Sequence, residues 1–295
     1  MAILILVVVA SLATACSAPS TTSRTGTLNV VAAESPWGAV AQAVGGRFVS
    51  VTSLVASPNT DPHEYQPDAA AAAAVATAGV VIDNGVGYDT FMAQLLSTGG
   101  AANRQVVTAA RVLGVNGTDA NPHLWYAIER VPEVAHAIEQ SLAHAAPAHA
   151  ADFARQLTTF DRSLTPITRV IRDIRAQRPG APVAQTERVA GYLLDEAGLR
   201  IASPLAFALA VESGQNPSAE ATQQMDQLLA RREADALVYN VQTTSPVTND
   251  VRSSATKSGI SVVPVSEVVL PVGDTFVAWQ LRQVDELAAA LKVAS

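Results

Sequence analysis

From Val131 to Ile174 the apolar residues recur every three or four positions, first as Val134, Ala135, Ile138 and Leu142, then as Phe153, Leu157, Phe160, Leu164, Ile167, Ile171 and Ile174. That spacing lays an apolar stripe along helix, and a helical block of this length does not fit inside a regular strand–helix alternation. It therefore divides the chain. Pro166 is expected to kink the block, because a proline inside a helix removes one backbone hydrogen bond and crowds the preceding turn. Arg178-Pro179-Gly180 ends it.

On both sides of the block, short β-rich runs alternate with amphipathic stretches. The first side reads as strand Leu28–Ala33, helix Trp37–Val44, strand Phe48–Val55, a helix opened by Pro67-Asp68 and carried by an alanine run, then strands Val80–Asp83 and Gln105–Thr108. The second side reads as strand Val183–Gln185, helices Arg188–Ala197 and Ala219–Arg231, strands Ala236–Tyr239 and Ser261–Val265, and a closing helix Thr275–Leu291. Alternation of this kind implies parallel sheets with helices on both faces. The expected class is α/β: a doubly wound lobe over residues 28–148, a linking helix over 149–178 and a second lobe over 179–295.

The single cysteine excludes a disulfide framework and any cysteine-rich zinc module, so its position is the informative fact. It is Cys16, preceded by the uncharged apolar run Ala2–Leu12 and the small residues Ala13, Thr14 and Ala15. This reads as a secretory signal over residues 1–15, too short to span a bilayer. Leu12-Ala13-Thr14-Ala15-Cys16 resembles a bacterial lipobox, which implies acylation of Cys16 and a Ser/Thr-rich tether over residues 16–27. A net charge of -7, with Lys257 and Lys292 far apart, leaves no basic footprint for nucleic acid.

Four side chains with metal-ligating chemistry stand where strands give way to loops, two in each half: His63, His123, Glu187 and Glu267. In open α/β sheets ligands bind beyond the carboxyl ends of the strands, so such loops from two facing lobes can converge on one cleft. Two imidazoles and two carboxylates suit a borderline divalent cation. Both histidines directly follow a proline, in Asp61-Pro62-His63-Glu64-Tyr65-Gln66-Pro67 and Asn121-Pro122-His123-Leu124-Trp125, which limits the backbone freedom lost on binding. Asp274 is the alternative fourth ligand. Glu267 is preferred because it directly ends a strand, whereas Asp274 stands where the closing helix wants an N-cap. Glu187 has a structural alternative as a first-turn helix acid. Glu34 and Asn240 are candidate partners for orienting the imidazoles. Trp37, Phe91, Trp125 and Tyr126 read as cleft walls or core, and His136, His144 and His149 as solvated residues of the helical block.

With these segments in view, the chain resembles the zinc- and manganese-specific cluster of ABC-transporter solute-binding proteins over roughly Leu28 to Leu291. The resemblance rests on the two Pro-His segments, on Asn84-Gly85-Val86-Gly87-Tyr88-Asp89, on Thr186-Glu187 followed by Gly191-Tyr192-Leu193, and on Tyr239-Asn240-Val241-Gln242-Thr243. It implies two lobes joined by one long helix and one ion in the cleft, held by His63, His123, Glu187 and Glu267. It also implies a monomer that delivers the ion to an ABC permease driven by a cytoplasmic ATPase, with no enzymatic step. Zinc-specific relatives often carry a histidine-rich loop and a third histidine ligand, and this chain has neither, so zinc and manganese both stay open with zinc ahead on intrinsic affinity. The alternatives are a surface adhesin of the same fold that keeps metal structurally and a zinc hydrolase. The latter lacks an H-E-x-x-H segment here.

Overall fold

The structure is a computed structural model that describes residues 26–59 and 62–294. The expected signal sequence, the acylation site Cys16, most of the tether and Asp61 lie outside the described residues. In chain order the elements are β1 (Leu28–Glu34), α1 (Ser35–Gly45), β2 (Val49–Val55), α2 (Ala69–Thr77), β3 (Val80–Asp83), α3 (Thr90–Ser97), β4 (Gln105–Thr108) and α4 (Ala109–Leu113). Then come α5 (Val131–Ala145), α6 (Ala150–Ser163) and α7 (Thr165–Gln177). The second lobe holds β5 (Pro182–Gln185), α8 (Gly191–Glu196), β6 (Arg200–Ile201), α9 (Leu205–Glu212), α10 (Ala219–Ala230), β7 (Ala236–Asn240), α11 (Pro246–Lys257), β8 (Ser261–Val265) and α12 (Phe276–Ala290).

Each lobe is built on a four-stranded sheet, ordered β2-β1-β3-β4 in the first and β6-β5-β7-β8 in the second. Every strand pair is parallel. The two orders are the same when strands are counted within each lobe. In both, the chain reverses its direction of travel across the sheet beside the lobe's first strand, and the crevice at such a switch point is where α/β folds bind ligands. The inner strands carry the burial expected of parallel strands covered on both faces: all five residues of β7 are buried, as are the last five of β1.

Local chemistry sets the element ends. Asp68 caps α2 by accepting a hydrogen bond from the Ala71 N–H at 2.8 Å, and Pro36 occupies the first turn of α1, where its missing N–H leaves no bond unmade. The linking block is two helices, α6 and α7, that meet at Leu164, with Pro166 in the first turn of α7. One face of the block is buried through Phe153, Phe160, Leu164, Ile167, Ile171 and Ile174. A single apolar core runs from Val30 and Trp37 through these residues to Val183 and Trp279, so the lobes share packing and are not tethered by a bare linker.

The structure departs from the sequence reading in places. The helix expected from Arg188 starts at Gly191, since the Arg188 carbonyl already accepts from the Gly191 N–H and the Asn121 side chain. Helices α3, α4, α9 and α11 and the two-residue β6 add to the expected elements. They are too short, or in the case of α11 too polar, for periodicity to reveal.

Candidate metal centre

The carboxyl ends of both sheets face each other across a cleft, and the chain leaving each strand supplies the side chains there. His63 lies in a 3-10 turn, Pro62–Glu64, between β2 and α2, and His123 directly precedes another, Leu124–Tyr126. Glu187 follows β5 by two residues, Asn240 ends β7, and Glu267 follows β8 by two. His123 and Glu267 are fully buried, while the His63 side chain keeps 23% exposure towards the cleft.

Among the described residues, His63, His123 and Glu267 form a group whose ligand atoms all lie within 4.8 Å of one another. Glu267 Oε2 is 3.3 Å from His63 Nε2 and 3.2 Å from His123 Nε2. Charge-assisted N–H···O contacts are ordinarily shorter, about 2.7–2.9 Å. Two donors held about 2.0–2.1 Å from one tetrahedral zinc ion stand about 3.3 Å apart, a spacing that the three side chains match as they stand.

The tautomer of His123 follows from its neighbours. Asn121 Nδ2 donates to the Arg188 carbonyl at 2.8 Å, which turns Asn121 Oδ1 towards His123. That oxygen, an acceptor only, lies 3.1 Å from the His123 backbone nitrogen and 2.8 Å from Nδ1. Nδ1 therefore carries a proton, which leaves Nε2 as the nitrogen that faces Glu267 and the cleft. Gly191 makes room for this: a Cβ there would stand 2.8 Å from Asn121 Nδ2.

The carboxylates are held as firmly. Asn240 Nδ2 lies 2.7 Å from Glu267 Oε1 and 3.3 Å from both oxygens of Glu187, and Tyr88 donates its hydroxyl to Glu267 Oε2 at 2.7 Å. Gln242 Oε1 accepts the Glu267 and Val268 N–H groups at 2.7 and 2.9 Å, fixing the loop after β8. Burial alone would raise the Glu267 carboxyl, but hydrogen bonds from His123 and His63 and their charge outweigh it and hold the group well below the usual carboxylate range. Trp125 walls the site, its ring 5.7 Å from that of His123 and 5.1 Å from that of Tyr88.

Several expected roles change. Asn240 meets the two acids rather than an imidazole, and the oxygen that orients His123 belongs to Asn121. Glu34 lies among Asp83 and Asp89. Burial, then the charge of Asp89, pushes its carboxyl well above the ordinary range. Asp89 accepts from the Asn84 and Gly85 N–H groups at 2.6 and 2.9 Å, closing a turn in which Gly85 takes φ 84°. Asn84 in turn donates to the Pro122 carbonyl at 2.7 Å. Glu34 thus reaches the site only through this turn.

Asp274, the alternative fourth ligand, points elsewhere: it pairs with Arg282 at 2.6 Å and accepts the Thr275 N–H at 2.8 Å. Nor does it cap α12. Thr275 does, accepting the Ala278 N–H at 3.1 Å, because its backbone is extended one residue later than expected. Trp37, Trp125 and Tyr126 are buried, whereas Phe91 is partly buried beside Tyr65. His149 stacks on Phe48 and His136 lies 3.0 Å from the Gln140 amide, so neither takes part in the site. Sequence reasoning assigned no role to Asn121, Tyr88, Gln242 or Glu212. The first three stand inside quoted segments, and that adjacency was the available signal.

The model of the family described as zinc-uptake complex component A, periplasmic, matches residues 30–290. No curated protein matches the chain in sequence. Among solved structures, the chain is similar to the solute-binding protein FpvC of Pseudomonas aeruginosa in complex with Mn2+, with TM-score 0.72 and 21% identity, covering 90% of this chain and 99% of that one. It is similar to the periplasmic zinc-binding protein TroA of Treponema pallidum, with TM-score 0.73, 20% identity and coverage of 90% and 99%. A Cd-bound periplasmic metal-binding protein of Candidatus Liberibacter asiaticus matches with TM-score 0.74, 15% identity and coverage of 90% and 100%. At these identities the likeness establishes a shared two-lobed α/β fold.

Proposed function

The chain belongs to the periplasmic zinc-uptake component A family, and from that premise we propose that it captures one zinc or manganese ion between its lobes and delivers it to an ABC permease driven by a cytoplasmic ATPase. The ligands in this reading are His63, His123, Glu187 and Glu267. The observation that carries it is the meeting of two imidazole Nε2 atoms from one lobe with a buried carboxylate oxygen from the other, at 3.2 and 3.3 Å. Glu187 is buried 3.3 Å from the same Asn240 amide that holds Glu267 and completes the set.

Two neutral nitrogens and two carboxylate oxygens cancel the charge of a 2+ ion and leave no position for a reactive water, as transport requires and hydrolysis does not. Because both lobes contribute ligands, binding favours their closed arrangement, and that arrangement is what a permease can recognise. Intrinsic affinity puts zinc ahead of manganese in such a site. Among the described residues no helix is long and apolar enough to cross a membrane. In this reading an acyl chain on Cys16 keeps the exported, monomeric protein at the outer face of the membrane.

Elemental analysis of protein purified without added metal, followed by competition between Zn2+ and Mn2+, tests the reading. The expected result is one ion per chain, lost in His63→Ala and Glu267→Ala. A wild-type chain that binds neither ion overturns it.

A further inference from the structure

Solvent reaches His63 through a cleft of about 270 Å³ lined by Val86, Tyr88, Pro122 and Leu209, with Arg188 and Glu212 in its wall. Of the described lining residues, Arg188 and Glu212 are the ones that carry a full charge at neutral pH. They form a two-point pair, Arg188 Nε to Glu212 Oε2 at 3.0 Å and Arg188 NH2 to Glu212 Oε1 at 2.6 Å, with side chains 16% and 9% exposed. A third guanidinium nitrogen donates to the Asp119 carbonyl at 3.0 Å, so the arginine of one lobe reaches the loop that carries His123 in the other. Glu212 also feels the imidazoles: burial raises its carboxyl, but Arg188 first, then His123 and His63, bring it below its ordinary value.

A doubly charged ion moving through this opening meets the field of both groups in a part-buried setting, where screening by salt is weaker than at the surface. We propose that the Arg188–Glu212 pair sets the rate at which the cation passes between solvent and the inner ligands, by cancelling the guanidinium's charge on the entry path. This rests on the cargo reading above. The pair is no part of the coordination set. Its effect is on passage, because each group alone would bias entry in an opposite direction: an unmatched Arg188 repels a cation, and an unmatched Glu212 attracts one.

The test is stopped-flow mixing of the metal-free full chain with Zn2+, followed by tryptophan fluorescence, since Trp125 lies 5.7 Å from the His123 ring. Glu212→Gln is expected to slow association about three- to tenfold at low ionic strength, and Arg188→Gln to speed it by a similar factor, both differences shrinking as salt is added. Loss of packing or of the Asp119 contact would move both variants the same way and would not respond to salt. Wild-type protein that takes up zinc while both variants shift together, or neither shifts, overturns the gate and leaves the cargo reading standing. Wild-type protein that takes up none overturns both.

Discussion

Asn121 offers the sharpest test of how the site is held, because its two amide atoms do separate jobs. Oδ1 accepts from His123 Nδ1 at 2.8 Å and Nδ2 donates to the Arg188 carbonyl of the other lobe at 2.8 Å. Asn121→Ala removes both. Groups that orient a metal-bound histidine are worth about 10- to 100-fold in affinity, which is about 1.4–2.7 kcal/mol of binding energy. Two lost neutral hydrogen bonds cost about 2 kcal/mol of stability, or about 3–4 °C in melting temperature for a chain of this size. Asn121→Asp separates the jobs. Its carboxylate still accepts from Nδ1, but it sets an oxygen against the Arg188 carbonyl, so the metal-free protein should be no more stable than the alanine variant yet bind zinc markedly tighter. Titration calorimetry against a competing chelator gives the affinities, and scanning calorimetry of the metal-free forms gives the stabilities. If the alanine variant binds within about twofold of wild type, or the aspartate variant binds as weakly as alanine, the acceptor on Nδ1 has no bearing on metal binding.

Other outcomes follow from the same geometry. Glu267→Gln should weaken zinc binding by at least about 100-fold, while Asp274→Asn, whose carboxylate is 2.6 Å from Arg282, should change it by less than about threefold; the reverse ranking would make Asp274 the ligand. Imidazoles coordinate only when neutral. Protonated imidazoles would also pair with the carboxylate that must hold the metal, so zinc affinity should fall as pH drops, by up to about two orders of magnitude per pH unit for two histidine ligands, and flat calorimetry between about pH 5 and 7.5 would count against histidine ligation. Burial pushes the Glu196 carboxyl up to about 7. The folded state therefore holds that proton more tightly than the unfolded state does, and the stability this adds is full in acid and lost as pH climbs from the ordinary carboxylate range towards 7. Melting curves of Glu196→Gln should lack that part of the pH dependence.

The residues alone determined the architecture, because periodicity is a local property. The apolar spacing through Phe153, Phe160 and Ile171 requires helix wherever that segment packs, and the β-rich runs ending in Glu34 and Asn240 require strands buried on both faces. Two Pro-His segments likewise announced candidate ligands without any coordinates. Only tertiary packing could decide which atoms meet. Position along the chain favoured Glu267 over Asp274 only as a strand-end residue against an N-cap; the hydrogen bond to His123, 144 residues away, and the ion pair with Arg282 separate them by contact. The same holds for Glu34, which turned from an expected partner of the imidazoles into a buried neighbour of Asp83 and Asp89, and for Asn121, whose role depends on a carbonyl in the opposite lobe. Spacing along a chain fixes which face a side chain takes, whereas the distance between two loop ends is set by how the shared core brings the lobes together.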